Sequence, residues 1–272
     1  MRIRFVDAFT DRPFAGNPAA VVLFDTPHFP EDARLQRLAA EVNLSETAYA
    51  HPLPPGSDAD WALRWFTPTT EVDLCGHATL ATAHVLHSTG RATGTVHFAS
   101  RSGTLTARLD GPGTVTLDFP TTPLAPTPPP ADLAAALGTA VTAAYTTGPL
   151  GDLLVEVADE RTVRDLAPTT AKLAALPARG LIVTAAADTP ESGYDYVSRY
   201  FAPAVGIPED PVTGSAHTAL APLWCRRLGR DDLTGYQASA RGGLVRTRLR
   251  GARTELTGHA ITVIDGELCL GL

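Results

Sequence analysis

The first seven residues, Met1-Arg2-Ile3-Arg4-Phe5-Val6-Asp7, alternate charged and apolar side chains, the period of a half-buried strand. A second apolar run, Ala19 to Phe24, predicts another strand. Between Pro30 and Val42 the period lengthens, with Leu35, Leu38, Ala39 and Val42 at helical spacing, so a helix is expected there. Thr47 to His51 and Trp61 to Phe66 read as strands. Gly76 to Ser88 is small and apolar on every side, the pattern of a buried helix. From Gly94 to Asp118 the chain predicts hairpin-like strands, broken at Gly103 and at Asp110-Gly111-Pro112-Gly113.

The stretch 121–130 carries Pro123, Pro126, Pro128, Pro129 and Pro130, and is expected as a stiff linker because proline breaks helices and central strands. It separates two stretches that resemble each other. Arg64-Trp65-Phe66-Thr67-Pro68 precedes Cys75-Gly76-His77-Ala78-Thr79. About half the chain later, Arg199-Tyr200-Phe201-Ala202-Pro203 precedes Gly214-Ser215-Ala216-His217-Thr218. Each reads as strand, turn, loop and Gly-led helix, which predicts a duplicated domain. The expected organisation is a first lobe over 1–120 with a helix near 76–88, the linker 121–130, and a second lobe over 131–260 with a helix near 214–228. A C-terminal strand at 261–271 is a candidate to complete the first lobe.

Composition narrows the function. The chain has 272 residues, 44% of them hydrophobic and 19% charged, enough to fill one or two globular cores. A formal net charge of −7 argues against nucleic acid as a partner. Arg241, Arg246, Arg248, Arg250 and Arg253 are a local exception, and their alternation suggests the exposed face of a strand. Cys75, Cys225 and Cys269 form no CxxC pair, so neither a disulfide framework nor a structural zinc site is expected. There is no signal-peptide pattern and no run long enough to span a membrane, and a cytoplasmic setting without membrane partners is the simplest expectation.

The candidate chemistry sits at the two Gly-led helix starts. The first turn of a helix has unpaired N–H groups and the positive end of the dipole. Gly76-His77-Ala78 and Gly214-Ser215-Ala216 are therefore candidate anion cradles, and together they would suit a small carboxylate in a cleft between the lobes. The blander alternative is that both glycines merely permit close helix–sheet packing. His77, Asp210, Ser215 and His217 crowd the same short segments, where polar groups need partners or a task. No Gly-rich nucleotide loop follows a strand, and no metal-ligand spacing is evident, so no nucleotide cofactor and no metal are expected.

Four ordered segments carry a resemblance. Phe14-Ala15-Gly16-Asn17-Pro18-Ala19-Ala20, Asn43-Leu44-Ser45-Glu46-Thr47-Ala48, Arg64 to Pro68 with Cys75-Gly76-His77-Ala78-Thr79, and Asp210-Pro211-Val212-Thr213-Gly214-Ser215-Ala216-His217 resemble the motifs of the PhzF family of phenazine-biosynthesis isomerases. That family is related in structure to diaminopimelate epimerase. The resemblance runs from the first strand to at least Gly243. It implies an α+β protein of two pseudo-symmetric domains, each a barrel-like sheet wrapped around a central helix. It also implies cofactor-independent isomerisation of a small carboxylated metabolite, similar to that of trans-2,3-dihydro-3-hydroxyanthranilate, in secondary metabolism, and a homodimer.

By the same resemblance Glu46 is the proton-carrying group, with His77 and Asp210 as catalytic companions. Gly76, Gly214, Ser215, Ala216 and Asn17 are then the substrate-binding residues. Moving a proton between carbons needs a base that also works as an acid, and burial brings a carboxylate toward that range. His217 is expected as a core histidine, and Asn17 and 237–243 as the rim of the pocket. Cys75 stands where related epimerases carry one of two catalytic cysteines. The second repeat has Thr213 at the matching place, and Cys225 lies inside the helix, so Cys75 is expected as a small packing residue. An amino-acid epimerase or racemase, or a non-catalytic binding protein of this fold, remain the alternatives. A serine hydrolase is set aside, because Thr213-Gly214-Ser215-Ala216-His217 does not match a nucleophile elbow.

Overall fold

The computed structural model describes residues 1–269 and divides into two units. The first consists of residues 1–118 together with the chain from Thr257 onward, and the second of residues 119–256. Each is a β-sheet wrapped around a central helix, so the protein is α+β with a repeated plan.

In the first unit, β1 (Arg2–Ala8) pairs antiparallel with β2 (Asn17–Leu23). The chain crosses through α1 (Asp32–Val42) to β3 (Glu46–Pro52), which lies parallel to β2. The antiparallel β4 (Trp61–Phe66) and the short β5 (Glu71–Val72) follow. Then comes α2 (Gly76–Ser88), and β6 (Thr95–Ser100) returns parallel to β4. A meander of β7 (Gly103–Gly111) and β8 (Thr114–Pro120) follows. The observed α1 begins at Asp32, two residues after the expected start. It ends at Asn43, whose left-handed conformation (φ 53°) lets its N–H reach the Ala39 carbonyl. Leu35 and Ala39 face the sheet, and the Tyr49 hydroxyl donates to the Leu35 carbonyl at 2.7 Å.

Helix α2 spans the predicted residues and is buried on nearly every side, as its uniform apolar composition requires. Its buried threonines satisfy their hydroxyls locally: Thr79 donates to the Cys75 carbonyl and Thr82 to the Ala78 carbonyl.

The second unit repeats the plan. Two short elements, β9 (Ala125–Pro126) and α3 (Leu133–Leu137), precede β10 (Ala143–Thr146), which is antiparallel to β11 (Leu153–Glu156). Two short helices, α4 (Glu160–Arg164) and α5 (Thr170–Ala174), lead to β12 (Leu181–Ala186), parallel to β11. Antiparallel β13 (Tyr196–Ala202) and β14 (Ile207–Asp210) follow, then α6 (Gly214–Leu228). The strand β15 (Asp232–Gln237) returns parallel to β13 and turns into β16 (Gly243–Arg250). Alternate strand residues fill two layers. Leu154, Ile182 and Tyr196 pack with α6, while Val155, Val183 and Val197 pack with Leu133, Val163 and Leu173 of the short helices. On β16, Arg246 and Arg250 face outward as expected and Arg248 is half-buried. The final strand, β17 (Arg253–Glu267), starts in the second unit and ends in the first, where Arg2 lies opposite Glu267 and Ala8 opposite Ala260. The expected strand 261–271 is thus part of a longer one; residues 270 and 271 lie outside the described residues.

The repeated Arg motif is a matched device. Arg64 makes a fork of hydrogen bonds to Glu71 (both 2.7 Å) and lies over the Phe66 ring. Arg199 does the same with Glu209 (2.7 and 2.9 Å) and Phe201. Each ties the helix-side strand to the hairpin that leads into its central helix.

The proline-rich stretch 121–130, expected as a stiff linker, falls within the second unit. Pro222 inside α6 has no N–H to offer the Thr218 carbonyl. That carbonyl instead accepts the Thr122 N–H at 3.1 Å, and the Thr122 and Thr218 hydroxyls pair at 2.7 Å. Ala125 and Pro126 then pair with Thr146 and Tyr145. A proline that breaks one helix bond thereby pins a segment that prolines keep out of helix. Among the described residues no helix is long and apolar enough to cross a membrane.

Candidate active site

Glu46 opens β3, immediately after the chain leaves the left-handed end of α1. The parallel register sets Glu46 beside Ala19 on β2, two residues from Asn17. The start of α2 brings Cys75 and His77 to the same place. Glu46 is 8% exposed, His77 5%, Cys75 7% and Asn17 0%, so four polar or ionisable side chains share a nearly closed site.

Glu46 Oε2 lies 3.1 Å from His77 Nε2. The contact is close but not aligned as a hydrogen bond, and Oε2 is buried without a hydrogen-bond partner. On the other side of the ring, Asn17 Nδ2 is 3.1 Å and Cys75 Sγ 3.5 Å from Nδ1. Ser45 Oγ is 3.1 Å from both Asn17 Oδ1 and the Pro18 carbonyl. Burial works against a charged His77, but the Cys75 sulfur and the Glu46 carboxylate outweigh it and hold the imidazole well above its ordinary pKa. Burial also pushes the Cys75 thiol up to about 11, so it is a neutral thiol near pH 7.

The hydrogen-bond chain suits either charge state of His77. With the amide donating from Nδ2, Nδ1 is unprotonated and the neutral ring carries its proton on Nε2, toward Glu46. A half-turn of the amide lets Oδ1 accept an Nδ1 proton, Nδ2 donate to Ser45 Oγ, and the Ser45 hydroxyl donate to the Pro18 carbonyl.

At the start of α6 the chemistry is different. Cys75 and Thr213 are the corresponding N-cap residues, both with extended backbones, and Gly76 and Gly214 are the first helical residues. The Thr213 hydroxyl donates to Asp210 Oδ2 at 2.5 Å, and its N–H donates to Gln237 Oε1 at 2.8 Å. Gln237 Nε2 donates to the Asp210 carbonyl at 2.7 Å and lies 3.2 Å from the Thr213 hydroxyl. Asp210 is 8% exposed, Ala216 is buried, and Ser215 is half-buried with its carbonyl taken by the Thr218 hydroxyl. His217, one turn in, is fully buried. Burial lowers it to about 3, and the phenol of Tyr196, kept protonated by its own burial, is hydrogen-bonded to His217 Nδ1 at 2.9 Å.

The residues singled out in the sequence fall into two sets. In the first unit, Asn17, Glu46, Gly76 and His77 come together. In the second, Asp210, Gly214, Ser215 and Ala216 do. Cys75 packs against the ring of His77. Two placements differ from expectation. Asn17 and Gln237, expected on a rim, are both fully buried. Ser45 and Thr213 were quoted only as parts of motifs, yet each completes a hydrogen-bond chain. The Gln237 link to Asp210 spans most of α6 and leaves no local signal.

The family model for phenazine biosynthesis-like proteins, PhzC-PhzF, matches residues 6–266. An uncharacterized isomerase of Pseudomonas aeruginosa is 48% identical over 266 residues, covering 97% of each chain. A crystal structure of a PhzF-family phenazine biosynthesis protein from Enterococcus faecalis superposes with a TM-score of 0.90 at 41% identity, over 99% of both chains. A hydroxyproline epimerase from Agrobacterium vitis reaches a TM-score of 0.62 at 14% identity, over 98% of this chain and 91% of that one; this is a likeness of fold alone.

Proposed function

The chain belongs to the PhzC-PhzF family of phenazine biosynthesis-like proteins, and on that premise we propose that it is a cofactor-independent isomerase that moves a proton, and with it a double bond, on a small carboxylated metabolite, with Glu46 as the proton carrier. One observation carries this reading: a buried carboxylate oxygen, Glu46 Oε2, that sits against an imidazole yet has no hydrogen-bond partner. A buried carboxylate oxygen held only by a misaligned contact with an imidazole is costly, and such costs concentrate where a group has chemistry to do.

In this mechanism Glu46 takes a proton from one carbon of the substrate and returns it to another on the same face. His77, charged beside the carboxylate, balances the negative charge that develops as the C–H bond breaks. Asn17 and Ser45 hold its ring in either protonation state. In the second unit, Asp210 is suited to a positively charged group, and Gly214, Ser215 and Ala216 to a carboxylate through a hydroxyl and backbone N–H groups. An amino-acid-like or anthranilate-like acid of secondary metabolism fits this set.

Isomerisation is favoured over epimerisation by the Thr213 position. Inverting one carbon needs an acid on each face, and where a second thiol would stand, the Thr213 hydroxyl is already committed to Asp210. The test is incubation in deuterated water with trans-2,3-dihydro-3-hydroxyanthranilate and, separately, with a panel of amino acids, followed by mass spectrometry and NMR. The reading expects a shifted double bond and one carbon-bound deuterium from the cyclic acid. Inversion of an amino acid at Cα, with no double-bond shift in the diene acid, would replace it with an epimerase.

A further inference from the structure

We propose that Phe14 is a specificity-determining residue: its ring covers the Glu46 site and selects a substrate whose reacting carbons belong to a planar, unsaturated ring. The proposal rests on the function proposed above and narrows its substrate class.

Topology sets Phe14 at the mouth of the site. Strands β2 and β3 run parallel, with Asn17 and Glu46 as their first residues, so both start at the same end of the sheet. Strand β1 ends there too, with Ala8 opposite Asn17. The connection 9–16 therefore lies at that end, and Phe14 is three residues before the Asn17 side chain that meets His77. Its Cα lies within about 11 Å of that of Asn17. Leu74, one residue before Cys75, reaches the site from the start of α2. Both side chains are exposed, Phe14 at 78% and Leu74 at 43%. A buried polar site flanked by exposed apolar side chains suits a ligand with a polar edge and an apolar face.

The backbone of Phe14 is a second, independent observation. Among the described residues three other than glycine have positive φ: Phe9 (64°), Phe14 (65°) and Asn43 (53°). This conformation is costly for a bulky side chain. Asn43 adopts it to end α1. Phe9 adopts it while fully buried, and its ring fills the space that Gly258 leaves, where any Cβ would strike it. Phe14 has the same backbone without the packing. Its N–H donates to Asp7 Oδ2 at 2.7 Å, and Asp7 is itself buried. The loop thus holds a strained backbone while the ring stays in water. Glycine would adopt this conformation without cost. Strain that the fold does not use is found at ligand clamps. A phenyl ring stacks offset on a planar unsaturated face, and its closure over the site excludes water from the Glu46 carboxylate. It offers little to an acyclic amino acid.

The test uses the full-length protein and anthranilate, a stable planar ring acid. β-Alanine is the second probe, because it repeats the amine and carboxylate without the ring. Calorimetry measures both on the wild type, Phe14→Ala and Phe14→Gly, with Val205→Ala, an exposed apolar residue of the second unit, as the control. The proposal expects anthranilate to bind at least about tenfold more tightly than β-alanine. That preference should fall about tenfold in both Phe14 variants and stay in Val205→Ala. 4-Fluorophenylalanine at position 14 should show a shifted fluorine NMR signal with anthranilate and none with β-alanine. Phe14→Gly should melt within a few degrees of the wild type or above it, because it relieves strain and removes no packing. Affinity lost with stability kept is a result that a purely structural role would not give.

No anthranilate binding, an unchanged preference in Phe14→Ala, or a Phe14→Gly protein that melts well below the wild type overturns the proposal. So does a changed oligomeric state of Phe14→Ala in size-exclusion chromatography, which would assign the ring to a second copy of the chain. Phe14-dependent anthranilate binding without isomerisation of any diene acid leaves the ring site standing and removes the functional reading. Isomerisation of trans-2,3-dihydro-3-hydroxyanthranilate with an unchanged KM in Phe14→Ala does the reverse.

Discussion

The starts of α2 and α6 occupy the same place in the two repeats, and they have opposite electrostatic characters. Both follow an Arg–Glu fork over a phenylalanine ring, both have an extended N-cap, and both begin with glycine. At α2 the nearby histidine faces a carboxylate and is held above its ordinary pKa. At α6 the nearby histidine faces a phenol and falls to about 3. Burial is nearly complete in both cases, so the neighbour, not the degree of burial, decides whether the ring can carry charge. The α2 start is built from groups that can change protonation and has one oxygen left unsatisfied. The α6 start is closed by Thr213, Gln237 and Asp210 into hydrogen bonds that hold one geometry. The repeated plan thus sets titratable groups at one helix start and a fixed hydrogen-bonded frame at the other.

The largest effect that would sharpen this contrast is on acid stability. His217 is lowered, so the native state favours its neutral form. That stability is fully present above the unfolded pKa near 6.5 and is lost as pH falls toward about 3. The loss is roughly 1 kcal/mol per pH unit, several kcal/mol over the range. His217→Asn keeps an acceptor for the Tyr196 hydroxyl and removes the titration. Denaturant unfolding between pH 6.5 and 4 should show a flatter acid limb in the variant; an unchanged slope would mean another group governs it.

Next is the frame itself. Gln237→Leu leaves the Thr213 N–H and the Asp210 carbonyl buried without their partner. A loss of about 2 to 4 kcal/mol in unfolding free energy is expected. Asp210→Asn keeps an acceptor for Thr213 but removes the charge, and should raise KM by roughly 10- to 100-fold with a smaller change in kcat. A dominant kcat effect would move Asp210 from holding the substrate to its chemistry and break the contrast.

The smallest effect concerns Pro222, a feature of α6 without a counterpart in α2. Pro222→Ala restores an N–H that competes for the Thr218 carbonyl. Stability should change by less than about 1 kcal/mol. Amide exchange at Thr122 should nevertheless become faster, because its acceptor is then shared; unchanged exchange would mean the docking of 121–130 does not depend on the proline.

Much of this was legible in the chain. The Gly-led helices at 76–88 and 214–228 were readable because uniform apolar composition over a dozen residues has no stable alternative to burial. The duplicated Arg motif was readable because each copy needs its own aromatic ring and turn. What stayed hidden depends on distance along the chain. Nothing local announces that Gln237 reaches back to Thr213, or that Asn17, backed by Ser45, meets a histidine sixty residues later. The stretch 121–130 reads as a stiff linker because proline forbids regular structure there, while the acceptor that pins it lies beside another proline far downstream. Cys75 reads as packing because a second thiol is missing, and it packs against the ring of His77.

The central claim is that Glu46 alone carries the proton. It is tested most directly by solvent-exchange NMR on Glu46→Gln, at saturating substrate, with the product's carbon-bound deuterium as readout. The account predicts that exchange and turnover fall together by about 10²- to 10⁴-fold while substrate still binds and the fold is intact. Deuterium entering the product at the wild-type rate in that variant would contradict it.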